Sequence, residues 1–320
     1  MQPNLWWWII FNAGVLVVLA IDLFAFQRKA HAPSRREAAT WTLLWVTLSL
    51  AFNAVIWVLM GPASALQFLT GYLIEYSLSV DNIFVFVLTF SYFAVPAAYQ
   101  HRVLFWGILS ALLLRGVMIG VGVAFIGTFQ WALYFFGGLL ILTGAKMLFR
   151  GRKAVNLAQN PVIRRVCAWL PMSDDYHGAR FTIQSNGRRL LTPLAVVLII
   201  IEATDLLFAI DSIPAIFGIT HDPFIVYTSN VCAILGLRSL YFLLSGLVHK
   251  FVYLEPALAI ILFFIGVKML LADLLPIPTA ASLAFIGLVL LAGIGLSLRK
   301  ASMPRVSPGR SERRIPSTAR

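Results

Sequence analysis

The sequence predicts an all-α polytopic membrane protein of nine transmembrane helices, with its N-terminus outside, its C-terminus inside, and an inverted 3+3 helix repeat at its centre. Three observations carry this expectation. Apolar runs of membrane-spanning length recur along nearly the whole chain, the basic residues between them fall on one side, and a group of motifs returns with the same internal spacing.

The runs come first. Of the 320 residues 60% are hydrophobic and 12% charged, which lies outside the range of soluble domains. A hydrocarbon core about 30 Å thick needs about 20 apolar residues of helix. Such runs cover roughly 5–26, 41–60, 66–93, 103–126, 131–149, 193–218, 224–247, 255–275 and 278–298. A β-barrel would show short alternating segments instead. The first run has no basic residue before it and no small-residue cleavage pattern after it, so it is expected to be a retained helix, with Trp6, Trp7 and Trp8 as an interfacial anchor.

The orientation follows from charge. With the N-terminus outside, segments 28–40, 94–102, 150–192, 248–254 and 299–320 face the cytoplasm and hold four, one, eight, one and seven Lys or Arg. The connections near 61–65, 127–130, 219–223 and 276–277 hold none, as does the N-terminal end. The four remaining of the 25 Lys and Arg, namely Arg115, Lys146, Arg238 and Lys268, lie within spans. The net charge of +12 is thereby explained without nucleic acid: the basic loop 150–192 and the tail 299–320 set topology and meet anionic lipid at the cytoplasmic face. The Pro, Ser and Arg content after Lys300 predicts a disordered tail.

The repeat rests on motif spacing. Gly144-Ala145-Lys146-Met147-Leu148 is answered by Gly266-Val267-Lys268-Met269-Leu270, and each follows an arginine within a span, Arg115 or Arg238. Upstream, Glu75 precedes Asp81 by the same six residues that separate Asp205 from Asp211, and Asp81-Asn82-Ile83 answers Asp211-Ser212-Ile213. The chain therefore divides into two N-terminal helices (1–65), a first three-helix repeat (66–149), the basic loop (150–192), a second and inverted repeat (193–275), a last helix (276–298) and the tail (299–320). Inverted pairs of this kind hold their substrate near the midplane, where the repeats meet.

Five carboxylates, Glu75, Asp81, Glu202, Asp205 and Asp211, stand inside these apolar spans. Each costs at least about 2.5–3.5 kcal/mol on insertion, so each must be protonated, paired or turned towards a hydrated cavity. Arg115 and Arg238 are placed to balance part of this charge. Lys146 and Lys268 sit near span ends, where they can snorkel. The excess of carboxylate is what a cation site needs. All candidate ligands are oxygens, with Asn82, Ser212, Ser77 and Ser79 as supplements, while His31, His101, His177, His221 and His249 lie in or beside loops. Oxygen donors suit Mn²⁺, Mg²⁺ or Ca²⁺ and disfavour zinc or copper; a proton relay uses the same groups. The two cysteines, Cys167 and Cys232, form no paired pattern.

Helix geometry constrains the site. A six-residue step turns a regular helix by roughly 240°, so Glu75 and Asp81 would not share a face and a continuous helix would split the site. Pro214 is expected to bend or break its helix beside Asp211, because it removes an amide donor and frees the carbonyl of Ile210. Glu202 and Asp205, three residues apart, meet on one face without distortion. Asp22 reads as a snorkelling or helix-pairing residue and Asn53 as an interhelical hydrogen bond. Pro96 and Asp222-Pro223 read as helix punctuation, and Glu255 and Asp273 border spans. There is no nucleotide-binding loop, catalytic triad or metalloprotease motif, so ATP-driven transport within the chain and hydrolysis are disfavoured and the protein is not expected to be an enzyme.

With these residues in view, the sequence resembles the TerC family, most closely its Alx-type members, over about residues 5 to 298. Carrying the resemblance are Gly71-Tyr72-Leu73-Ile74-Glu75, Ser79-Val80-Asp81-Asn82-Ile83-Phe84-Val85, Glu202-Ala203-Thr204-Asp205, Phe208-Ala209-Ile210-Asp211-Ser212-Ile213-Pro214-Ala215, Thr228-Ser229-Asn230 and Leu235-Gly236-Leu237-Arg238. The resemblance implies a bacterial inner-membrane protein, tied to tellurium resistance by name and to manganese efflux in function, whose metal path runs through Glu75, Asp81, Glu202, Asp205 and Asp211. The expectation is an Mn²⁺ exporter with metal-binding residues Glu75, Asp81, Asn82, Glu202, Asp205 and Asp211 and no permanently bound cofactor. Two alternatives stay open: a Ca²⁺/H⁺-type exchanger with the same ligands, and a non-transporting scaffold that recruits a membrane partner through the 150–192 loop. Homo-oligomer formation is open as well.

Overall fold

The structure is a computed structural model that describes residues 4–26, 34–129, 131–150, 173, 175–185, 188–247, 250–275 and 277–302. The tail beyond Ser302, Arg152, Lys153, Arg164, Arg165 and Cys167 lie outside the described residues, as does the side chain of Asp22.

The helices are α1 (Leu5–Phe26), α2 (Arg35–Met60), α3 (Pro62–Tyr92), α4 (Ala97–Thr128), α5 (Ala132–Arg150), α6 (Pro193–Phe217), α7 (Pro223–Leu235), α8 (Leu237–Leu244), α9 (Leu254–Leu270) and α10 (Thr279–Ser302). Their starts are written in the chain. Ser34 caps α2 in a reciprocal box, accepting from the Glu37 amide at 3.2 Å while its own amide donates to the Glu37 carboxylate at 3.4 Å. Gly61, at φ 91°, makes the tight corner from α2 into α3, and Pro62 stands at the first helical position where no amide is missed. Asp222 caps α7 by accepting from the amides of Phe224 and Ile225, with Pro223 again at the first position.

Six of these helices, α2, α3, α4, α5, α6 and α10, are long and apolar enough to cross a bilayer, and a seventh span exists if α7 and α8, bent by 41° at Gly236, count as one. The nine expected runs are thus met in six or seven cases by this measure. The apolar part of α1, Leu5–Ile21, is shorter, and α9 has 17 residues, near the lower limit for spanning.

The break expected beside Asp211 is absent. Helix α6 runs on through Pro214 to Phe217 and α3 is unbroken from Pro62 to Tyr92. Pro214 stands in the last turn of its helix, so the lost amide costs one bond and leaves almost nothing beyond it to redirect. The interruption falls instead at Gly236, in the helix that follows.

Burial places the centre. Half of the apolar windows of α3 and α6 are buried, against 17% to 28% for the other long spans. The two acid-bearing helices form the middle of the bundle; α3 packs on α6 and α7, and α4 on α6. Behind them α5 and α9 approach backbone to backbone through glycine. A methyl group on Gly144 would lie 2.6 Å from the Ala259 carbonyl and 2.9 Å from the Phe263 amide, and one on Gly266 would lie 2.6 Å from the Gly137 carbonyl and 2.9 Å from the Ile141 amide.

The loop that the sequence marked only as basic contains an antiparallel hairpin, β1 (Thr182–Ser185) paired with β2 (Arg188–Leu191) in the register Thr182 to Leu191. It rests on the helical body. The Tyr176 hydroxyl donates to the Phe93 carbonyl at 2.7 Å, and the Arg102 guanidinium lies 5.4 Å from the centre of the Phe181 ring.

Candidate functional site

The site is built on one face of each central helix. Along α3, Glu75, Ser79 and Asn82 are four and three residues apart and line up; along α6, Asp205 and Ser212 do the same at seven. All five are at least 96% buried. Between the two faces α4 inserts Arg115, itself only 1% exposed. Its Nε donates to Asp205 Oδ2 at 3.1 Å and its Nη2 to Asp205 Oδ1 at 2.8 Å, a bidentate grip, while Nη1 donates to Glu75 Oε1 and to Asn230 Oδ1 at 3.4 Å. Asn82 Nδ2 adds a bond to Asp205 Oδ1 at 3.2 Å. Two carboxyl groups thus share one guanidinium in the apolar centre.

Four buried oxygens around this network have no hydrogen-bond partner: Glu75 Oε2, Ser79 Oγ, Asn82 Oδ1 and Ser212 Oγ. An unpartnered buried polar atom costs about 1–3 kcal/mol, so four on the same two helix faces need a reason. Because the Asn82 nitrogen donates to Asp205, its carbonyl oxygen is the end left over for a cation. Ser77 takes no part, since its hydroxyl donates to the Leu73 carbonyl of its own helix at 2.5 Å.

Asp81 and Asp211 stand off the Arg115-facing sides of α3 and α6, as a six-residue step on an unbroken helix requires, whereas Glu202 lies one turn from Asp205 on α6. Asp81 is half-buried and lines a cavity of about 20 Å³ with Phe84, Phe251, Leu254 and Glu255. Asp211 accepts from Thr143 Oγ1 of α5 at 3.1 Å. Glu202 accepts from Ser110 Oγ of α4 at 2.5 Å and keeps a buried second oxygen, Oε2, without a partner. Among the described residues no three His, Cys, Asp or Glu side chains are gathered closely enough to cage a metal. The structure brings together the first acid of each six-residue pair, Glu75 and Asp205, with Asn82.

Of the two charge-balancing arginines, Arg115 stands in the network. Arg238 is buried just past the Gly236 bend, on α8. The sequence reading missed Ser110, Thr143 and Asn230 as partners of the acids and of Arg115; each is a polar residue inside an apolar helix, which is the signal that marked the carboxylates. At one end of the bundle, His221 and Lys268 line a cavity of about 230 Å³ with Phe217, Gly218 and Met269. Burial holds the His221 imidazole below its ordinary pKa of 6.5, because desolvation disfavours the charged ring.

The family model of the integral membrane protein TerC family matches residues 60–304, which takes in both acidic helices, the Arg115 helix and α10. The chain belongs to the TerC family. This TerC-family chain is 51% identical over 300 residues to an uncharacterized membrane protein of Myxococcus xanthus, STKORF319, covering 94% of this chain and 93% of that one. It is 48% identical over 288 residues to an Escherichia coli K12 protein, Alx, whose name describes a proposed membrane-bound redox modulator, covering 87% and 90%. An uncharacterized membrane protein of Rickettsia bellii is 40% identical over 291 residues, covering 91% and 96%. No solved structure matches the chain. Both family and helices make it a multi-pass integral membrane protein.

Proposed function

We propose that this TerC-family protein exports a hard divalent cation, with Mn²⁺ as the preferred cargo, across the bacterial inner membrane. It does so by alternating access between two inverted three-helix repeats, driven by an ion gradient, with no enzymatic step and no resident cofactor. The observation that carries this reading is the meeting of Glu75 and Asp205. They hold equivalent positions in the two motif repeats, sit on the two most buried helices, and are surrounded by unpartnered buried oxygens of Glu75, Ser79, Asn82 and Ser212. Oxygen donors in a dry centre favour a hard divalent ion. The preference for Mn²⁺ over Ca²⁺ draws on the family resemblance.

The contacts of α5 with α9 support the repeat. The displacement along the chain that carries Gly144 onto Gly266 also carries Gly137 onto Ala259 and Ile141 onto Phe263. The approach of Gly144 to Ala259 and Phe263 is thereby the counterpart of the approach of Gly266 to Gly137 and Ile141. Such reciprocity is the mark of a two-fold relation between the helices, and the order of the contacts runs antiparallel. Nine spans with the N-terminus outside and the C-terminus inside accommodate this inversion and keep 21 of the 25 Lys and Arg on the cytoplasmic side. In this arrangement Glu75, Asn82 and Asp205 form the central station, Asp81, Asp211 and Glu202 line the path to and from it, and anionic lipid meets the basic loop and tail.

The redox wording in the names of relatives finds little to act on here. The chain has two cysteines, and Cys232 is a buried residue of α7. The test is the manganese content of cells expressing Asp81→Asn or Asp211→Asn. Loss of manganese tolerance at unchanged membrane abundance is expected; unchanged manganese content in both variants, or a change in calcium content instead, overturns the Mn²⁺ assignment.

A further inference from the structure

The guanidinium of Arg115 holds three of the four carboxylate oxygens that the central station offers: Glu75 Oε1 and both oxygens of Asp205. What Arg115 leaves is one carboxylate oxygen, Glu75 Oε2, beside the neutral oxygens of Ser79, Asn82 and Ser212, whereas a hard divalent ion draws on carboxylates for its charge balance. The two cations cannot share the acids at contact distance in a medium of low dielectric. Binding must therefore be an exchange of one cation for another. Without Arg115, two buried carboxylates would face each other uncompensated whenever the carrier is empty, which is the costliest arrangement for a buried ion pair.

An acceptor for the displaced side chain is already at hand. Asn230 on α7 is fully buried, and its Oδ1 already accepts from Arg115 Nη1 at 3.4 Å. A short swing of the guanidinium towards Asn230 would free Glu75 and Asp205 while keeping one of its N–H groups satisfied.

Resting on the transport reading above, we infer that Arg115 is a built-in counter-cation: it takes the cargo's place in the empty carrier, releases Glu75 and Asp205 when the metal enters, and shifts to Asn230. The empty carrier is then neutral enough to reorient, and the loaded carrier is held together by the metal. Arg115 is a competitor of the cargo rather than a fixed strut between helices.

The test is Mn²⁺ binding to the purified full-length protein, read from the electron paramagnetic resonance of the free ion, with metal-free melting curves as the check on folding. Arg115→Gln is expected to bind Mn²⁺ at least tenfold more tightly than the wild type, Arg115→Lys to fall between them, and Asn230→Leu to bind more weakly. In proteoliposomes, Arg115→Gln is expected to lose net efflux at least tenfold while keeping Mn²⁺/Mn²⁺ exchange, because only the empty carrier needs the arginine; a structural role would lower both together. If Arg115→Gln does not fold, Arg115→Lys carries the same comparison, since its single ammonium cannot grip both acids. A folded Arg115 variant that binds no tighter than a binding-competent wild type, or that loses exchange along with efflux, overturns the counter-cation and leaves the transport reading standing. Absence of Mn²⁺ and Ca²⁺ binding in the wild type and in both Arg115 variants overturns the two together.

Discussion

Arg115 of α4 grips Asp205 of α6 through two parallel hydrogen bonds, from Nε at 3.1 Å and from Nη2 at 2.8 Å, and with the same guanidinium reaches Glu75 of α3. Three helices are thereby tied at one buried point. In Asp205→Ala the guanidinium keeps Glu75 but loses both of these bonds, and Asn82 Nδ2 loses its acceptor. Because removing one partner of a buried ion pair strands the other, the variant should lose about 3–5 kcal/mol. Unfolding in mixed detergent micelles checks this, and a loss below about 1 kcal/mol, the scale of an exposed pair, contradicts it.

The glycine contacts of α5 with α9 make a second prediction. Gly266→Ala places its methyl group 2.6 Å from a backbone carbonyl and should cost about 1–3 kcal/mol as the helices are forced apart. Gly138→Ala, on the same helix pair but with nothing within 4 Å of the added carbon, should be neutral or slightly stabilising. Melting temperatures of the two purified variants make the comparison.

Much of this was legible in the sequence. Hydropathy located the helices, and the cost of an intramembrane carboxylate located the residues worth following. The six-residue spacing already implied that Glu75 and Asp81 face different ways. What the sequence could not supply is helix rotation and neighbour choice: that the Arg115 guanidinium would meet Glu75 and Asp205 together depends on how α4 is set against α6 and α3. Pro214 misled because a proline matters most where helix remains on both sides of it, and here α6 ends three residues later. The hairpin was overlooked because its loop was read for charge alone. The dipeptide Asn186-Gly187 between Thr182–Ser185 and Arg188–Leu191 is the strongest short-range hairpin signal in the chain.

Glu202 takes its hydrogen bond from Ser110, a half-buried residue of α4. Ser110→Ala leaves a buried carboxyl group with neither oxygen satisfied by this helix and should cost about 1–3 kcal/mol, whereas Ser110→Thr keeps the donor and should be nearly neutral. Equal stability of the two variants by thermal melting contradicts the assignment.

His221 gives the protein an acid-sensitive element at one end of the bundle. Its folded-state pKa lies below the unfolded value of 6.5, so the folded chain binds this proton less readily. The associated stability is whole above about pH 6.5 and is lost as pH falls below it. His221→Gln should therefore narrow the drop in melting temperature between about pH 7.5 and about pH 5.5. An unchanged drop would show that the ring is not desolvated in the folded protein.

The central claim is that Glu75 and Asp205 together form the station for a transported divalent cation. Purified protein in sealed liposomes, with Mn²⁺ flux followed by an internal quenched dye, tests it most directly. Saturable Mn²⁺ flux by the wild type, abolished in both Glu75→Gln and Asp205→Asn at equal reconstitution, is the predicted result. Absence of flux in the wild type, or flux that survives both substitutions, would contradict it.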